Sequence, residues 1–323
     1  MAYLTLLFSS LLLSLALALP QGPNTLYVNN PNLRTESYNA TYFILAVADT
    51  ILESLIPYPL IPVPRDTSIF VTPFPAGYHP VIVSSGYMND IRMSIFQIAS
   101  LVGAQIAVPY VDRLENGETS FLYPLINYIG GANGEDLMSL VPCKLRSPRS
   151  PLGKNSKRLI RHEIIAIVGT FEGVYISPAS LTPNTAAYVA ITPTEFTVEV
   201  KTVIVPNFIS GPSVVYEDID LDFMSDPSPN TVYTAHTFHA LINQALVLNN
   251  GMCQCNTYFF NQTFTDPLFR VGTVTIGAPP VGTTGLAGVY SDVPGYSASS
   301  VLVGFNAQDC ADAAAAVDKS ALQ

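Results

Sequence analysis

From Ser68 to Gly304 the chain is cut into short runs of β-branched and aromatic residues, each stopped by proline, glycine, asparagine or aspartate. This punctuation limits what the chain can build. Proline removes a backbone donor and clashes with the preceding turn, so a helix cannot run through it, whereas a strand of roughly four to eight residues fits between two stops. Strands are expected at Ser68–Val71, Pro80–Ser84, Ile91–Ala99, Gln105–Pro109, Ser120–Ile129, Ala187–Ile191, Glu195–Val205, Val214–Phe223, Phe269–Ile276 and Ser299–Gly304. Two segments instead carry apolar residues at helical spacing. Thr41–Ile56 does so through Phe43, Val47, Ile51 and Leu55 before Pro57 and Pro59, and Thr234–Leu248 through Phe238, Leu241, Ile242 and Ala245. The expected fold class is α+β, mostly β: one domain on a closed or coiled sheet.

The N-terminus reads as an export signal. The apolar run Leu4–Ala18 ends in the small-x-small triplet Ala16-Leu17-Ala18, followed by Pro20, and is too short to span a bilayer. The expected organisation is a signal peptide at 1–18, an extended arm at 19–40, one domain at 41–305 and a tail at 306–323. A secreted protein, extracellular or in the cell wall, follows, and the sequons at Asn39 and Asn261 fit that compartment. An oxidising destination favours disulfides, with Cys310 pairing to Cys253 or Cys255 and pinning the tail. Cys253-Gln254-Cys255 lacks the spacing of a zinc knuckle, and His236 with His239 lacks matched partners, so no metal and no cofactor is expected. A net charge of −10 makes nucleic acid and anionic membrane poor partners.

Of 14 lysines and arginines, seven lie between Lys144 and Arg161, in a Ser-Pro-Arg-rich stretch unlike the apolar chain on either side. Residues 143–166 have three readings: a translated intron, a solvated insertion, or a basic loop for an acidic partner. The intron reading is preferred. Cys143-Lys144-Leu145 can encode a splice donor, Ile164-Ile165-Ala166 an acceptor, and excision keeps the frame.

The densest motif runs from Ala76 to Met93, through His79-Pro80-Val81-Ile82-Val83-Ser84-Ser85-Gly86 and Tyr87-Met88-Asn89-Asp90-Ile91-Arg92. With Leu55-Ile56-Pro57-Tyr58-Pro59-Leu60, Ile106-Ala107-Val108-Pro109-Tyr110 and Gly130-Gly131 before Glu135-Asp136, the chain resembles a secreted branch of the acetoacetate decarboxylase superfamily over residues 41 to 305. The resemblance implies a cone-like twisted antiparallel barrel around an apolar cavity, with a few helices. It also implies a cavity lysine that forms a Schiff base with a β-keto acid, its amine kept neutral by desolvation and a nearby cation. Glu135 would match the family's cavity glutamate. The lysine does not match, since Gly134 to Pro142 contains none and the nearest is Lys144.

Lys201 is the other candidate amine, on a strand face with Thr197, Glu199 and Val203, where pairing with Glu199 at the surface is the plainer expectation. His79, Asp90 and Arg92 are the expected ligand-binding cluster, Asp90 and Arg92 lying two apart on one strand face as an orienting ion pair requires. The expected function is a binding protein for a small carbonyl or keto-acid ligand that has lost Schiff-base catalysis. The alternatives are an active β-keto acid decarboxylase using Lys201 or Lys144, and a structural cell-surface protein. Expected partners are the small ligand and, for assembly, further copies of the chain.

Overall fold

The computed structural model describes residues 23–64, 69–131, 170–171, 174–182, 189–190, 195–204, 214–226, 233–260, 267–277 and 285–322. Strands dominate: β1 (Arg34–Ala48), β2 (Tyr78–Met93), β3 (Phe96–Val111), β4 (Phe121–Gly130), β5 (Thr170–Phe171), β6 (Val174–Thr182), β7 (Val189–Ala190), β8 (Glu195–Ile204), β9 (Val214–Ser225), β10 (Ala245–Val247), β11 (Cys253–Gln254), β12 (Asn256–Phe259), β13 (Leu268–Ile276) and β14 (Gly288–Gly304). The helices among the described residues are short: α1 (Asp49–Leu55), α2 (Ala235–Ile242), α3 (Cys310–Ala315) and a 3-10 turn at Lys319–Leu322. The mostly-β expectation holds.

The strands form one sheet in the order β11-β10-β4-β3-β2-β1-β14-β13-β9-β8-β6-β5, with β12 on β14 and β7 on β8. The sheet is mixed, because β4 takes two parallel partners: β10 at Phe121 and Leu122, and β6 at Asn127–Ile129. The second contact brings the two flanks of the coiled sheet together through three residue pairs, not along a full seam. The antiparallel expectation is thus corrected at β4.

The expected helix at Thr41–Ile56 is also corrected. Residues 41–48 belong to the 15-residue strand β1, and only Asp49–Leu55 is helical. The cause is burial on both sides. One face of β1 sends Phe43, Leu45 and Val47 into a core with Val83, Ile106 and Leu221, and the other sends Ala40, Tyr42 and Ile44 against Phe238, Leu241 and Tyr296. A strand covered on both faces is a continuous apolar run, and its alternation disappears. Between β2 and β14, β1 pairs along nearly its whole length, and its first seven residues occupy what reads as the arm. Gly295 makes this packing close, since a Cβ there would meet the Phe43 ring at 2.6 Å.

Helix α2 begins where its sequence signals it. Thr234 caps it, with the Thr234 hydroxyl accepting from the Thr237 N–H and the Thr237 hydroxyl accepting from the Thr234 N–H. It stops at Ile242 and the chain re-enters the sheet as β10. The expected strand Ile91–Ala99 is a hairpin, with β2 ending at Met93 and β3 starting at Phe96. Ile69–Val71 forms no strand. Cys253 is bonded to Cys310 across 57 residues, which fastens α3 to β11 and leaves Cys255 free and buried. Residues 1–18, Cys143, Asn261 and 143–166 lie outside the described residues.

Candidate functional site

Side chains alternate along a strand, so the even positions of β1 share one face. That face carries Arg34, Glu36, Tyr38 and Tyr42, toward a cavity of about 110 Å³ that β2, β3 and β4 floor with Ser84, Gln105 and Asn127. The end of α2 and the start of β10 roof it with Ile242, Gln244 and Leu246, and β12 closes the side with Asn256 and Tyr258. This volume takes a handful of waters or one small organic molecule.

A β-bulge sits opposite Glu36. Thr35 pairs with Arg92 and Ser37 with Asn89, so two residues of β2, Asp90 and Ile91, face one of β1. Asp90 has φ 49, a left-handed conformation rare outside glycine, which re-aims the chain at this point. Local contacts hold the bulge. The Asp90 carboxylate accepts from Arg92 Nε at 2.7 Å and from Gln97 Nε2 at 2.6 Å. Asn24 Nδ2 donates to the Asp90 carbonyl at 2.8 Å and to the Thr35 hydroxyl at 2.9 Å. The Arg92 guanidinium lies over the Tyr27 ring at 4.8 Å.

The cavity's electrostatics are unusual. Arg34 and Glu36 are its only charged lining side chains among the described residues. Glu36 is 2% exposed, and Oε2 of Glu36, the hydroxyl of Tyr42 and Oδ1 of Asn256 are buried without a hydrogen-bond partner. Burial raises the Glu36 carboxyl above its ordinary range, and the neighbouring Arg34 charge only partly opposes this. Burial likewise raises the Tyr38 and Tyr42 phenols and pushes Tyr258 up to about 12. The tyrosines are therefore neutral donors at physiological pH. Leaving one buried polar group unpaired costs about 1–3 kcal/mol, so three facing one small space call for an occupant, water or ligand.

The structure does not bring the expected ligand-binding residues together. His79 and Asp90 stand 11 residues apart on β2, about 35 Å of strand at about 3.3 Å per residue. Buried His79 shares a 2.7 Å hydrogen bond with the Pro109 carbonyl and packs edge-on against Tyr110. Desolvation lowers its pKa, opposed by that bond and by Asp49. His79 is a neutral tie between β2 and β3, and Asp90 with Arg92 braces the bulge behind Glu36. Lys201 Nζ bonds the Glu199 carboxylate at 2.7 Å with both side chains more than a third exposed, while Val198 and Val200 take the core face of β8. It does not line this cavity. Glu135 and Lys144 lie outside the described residues.

The residues that line the cavity escaped the sequence reading. Arg34, Glu36 and Tyr38 sit at alternate positions of a segment with strand character, and that period-2 polar pattern was the available signal. His239 is likewise structural, stacked on Phe260 at 4.2 Å. Among the described residues no group of three His, Cys, Asp or Glu could hold a metal, and no helix is long and apolar enough to cross a membrane. Asn39 lies half-buried at mid-strand between β2 and β14, with Thr41 bonded to Ser297, a poor place for a glycan. A larger groove of about 490 Å³ beside β9 and β13, edged by Glu195, Asp222 and Asp292, contains no buried unpartnered side chain.

No protein-family model and no curated protein matches this chain. Among solved structures it is similar to an acetoacetate decarboxylase, at 9% identity and TM-score 0.46 over 86% of this chain and 88% of that one. It is also similar to the enduracididine biosynthesis enzyme MppR complexed with pyruvate, at 9% identity and TM-score 0.43 over 86% of this chain and 90% of that one. The same enzyme with HEPES buffer bound gives 10% identity and TM-score 0.44. No residue's role is carried across from these proteins.

Proposed function

We propose that this chain is an exported receptor for a small carbonyl compound bearing a carboxylate, of the keto-acid class, which it binds without forming a Schiff base. One observation carries the reading: three buried polar groups without partners, on Glu36, Tyr42 and Asn256, line a single cavity beside Arg34. Arg34 gives the lining a positive charge, which a ligand carboxylate offsets, while the tyrosine hydroxyls offer donors to the carbonyl oxygen. The cavity is more polar than the expected apolar one, so orientation comes from hydrogen bonds and charge. Export rests on the pattern of residues 1–18, and the Cys253–Cys310 bond suits an oxidising compartment.

Schiff-base chemistry needs a desolvated amine at the ligand. Lys201 is paired at the surface, and no lysine lines the cavity among the described residues. The test is calorimetric titration of the exported protein with 2-keto and 3-keto acids, beside borohydride trapping on the same samples. Saturable binding that weakens at least tenfold in Arg34→Met, with no covalent adduct, is the expected result. Absence of binding across the panel overturns the reading, and an adduct on a lysine replaces it with the lyase.

A further inference from the structure

Glu36 has more in its favour than a binding role requires. It is the only carboxyl lining the cavity among the described residues, it is 2% exposed, and its Oε2 lacks a partner. A carboxyl that served only to neutralise Arg34 would be expected to spend both oxygens on it. The chain also spends a bulge and a left-handed non-glycine residue opposite this one position. The Tyr42 hydroxyl, three two-residue repeats along the same face, is the second orphan group, and it can donate a hydrogen bond. A proton acceptor and a hydrogen-bond donor lining one small cavity are what enolisation of a carbonyl compound needs.

We infer that Glu36 is a catalytic base that moves a proton between the ligand's carbon next to its carbonyl and the Glu36 carboxylate, so that the protein interconverts the keto form of what it binds with its enolate. This rests on the cavity being the ligand site. In the forward step the carboxylate takes the carbon-bound proton, and the C–H electron pair becomes the carbon–carbon double bond of the enolate. The carbonyl π pair moves to oxygen, where the Tyr42 hydroxyl donates its hydrogen bond and Arg34 lends positive charge. Returning the proton from Glu36 to carbon restores the ketone, and no oxidant, reductant or amine takes part. The neutral tyrosines stay protonated, so the hydrogen bond to the developing oxyanion persists through the cycle. Elevation of the Glu36 carboxyl by burial brings it closer to the working range of a general base. Arg34, Tyr38 and Tyr42 on β1, Tyr128 on β4 and Tyr258 on β12 are the other titratable groups lining the cavity among the described residues, and burial raises the Tyr38, Tyr42 and Tyr258 phenols.

The experiment is proton NMR of pyruvate in heavy water with the full exported chain, following loss of the methyl signal as deuterium enters. The same samples are titrated calorimetrically and treated with borohydride. Acceleration over buffer of about 100-fold is expected, with a rate that rises with pH through an apparent pKa above the ordinary glutamate value. Glu36→Gln should return exchange to the buffer rate with pyruvate still bound, Tyr42→Phe should slow it about tenfold, and Lys201→Ala should leave it unchanged. Exchange that survives in Glu36→Gln, or that is accompanied by a borohydride adduct, overturns the inference. Pyruvate binding without accelerated exchange overturns it and leaves the receptor reading intact. No binding of pyruvate or any other keto acid of the panel removes both.

Discussion

The two faces of strand β1 are buried to a similar degree and for opposite purposes. One face packs Phe43, Leu45 and Val47 into a mainly apolar core, and its buried Thr35, Ser37 and Thr41 have hydrogen-bond partners. The other begins with Ile44 and Tyr42, then turns polar at Tyr38, Glu36 and Arg34, and on it the Tyr42 hydroxyl and Oε2 of Glu36 are buried without partners. Apolar burial stabilises by about 25 cal/mol per Å² and needs no direction, so the first face is built by shape alone. The second runs against stability, and a fold keeps such a region where something other than stability is being served.

The largest expected effect lies on the first face. Phe43→Ala removes a fully buried ring lying on Gly295 and leaves a cavity, at a cost of about 3–5 kcal/mol. Urea unfolding followed by circular dichroism measures it. The contrast between the faces predicts that ligand affinity in the surviving folded fraction changes little. A parallel loss of binding would show that the two faces are one unit.

Glu36→Gln should act in the other direction. The Glu36 carboxyl is raised in the folded chain, so the folded state holds its proton when the unfolded chain has released it. The group's contribution is therefore fully present below the ordinary value of 4.5 and is lost as pH rises through the folded value. Glutamine does not titrate. The variant should match the parent near pH 4 and exceed it at neutral pH, by about 2 kcal/mol on the scale of an unsatisfied buried group. Thermal unfolding from pH 4 to 8 decides it, and a constant difference across that range would place Glu36 in a satisfied ion pair instead.

How legible this was follows from the same contrast. Punctuation by proline and glycine marked most of the strands, because a turn residue acts locally and needs no knowledge of what packs on the strand. The spacing of Phe238, Leu241 and Ile242 marked α2, whose start Thr234 caps. Strand β1 was misread because its alternation depends on two layers that meet it from distant parts of the chain. Phe238 is on one side and Leu221 on the other, and neither is visible from residues 34–48. The site inherited that error, since Arg34 and Glu36 fall where an arm was expected. Asp90 and Arg92 did form their pair, but the spacing that predicted the contact could not tell a ligand clamp from a brace on a bulge.

Tyr42→Phe tests the boundary between the two styles of burial. Tyr42 sits where the second face changes character: its ring packs with Phe260 and its hydroxyl is buried without a partner. Deleting that oxygen keeps the ring contacts and removes a desolvated group, so the variant should gain about 1 kcal/mol by urea unfolding. A loss of similar size would reveal an ordered water on the hydroxyl and move the boundary toward Glu36.

The smallest effect is expected at Lys201. Its bond to Glu199 is short, but both side chains remain more than a third exposed, and such pairs contribute about 0–1 kcal/mol because solvent screens the attraction and two long side chains lose freedom. Lys201→Ala should shift the urea midpoint within error and leave keto-acid binding unchanged, because Val198 and Val200, not Lys201, face the interior of the sheet. The informative failure is in binding. A tenfold loss of affinity with unchanged stability would mean that β8 turns its polar face toward the ligand. The cavity behind Glu36 would then be a structural water site, and the division between the faces of β1 would reflect packing history instead of function.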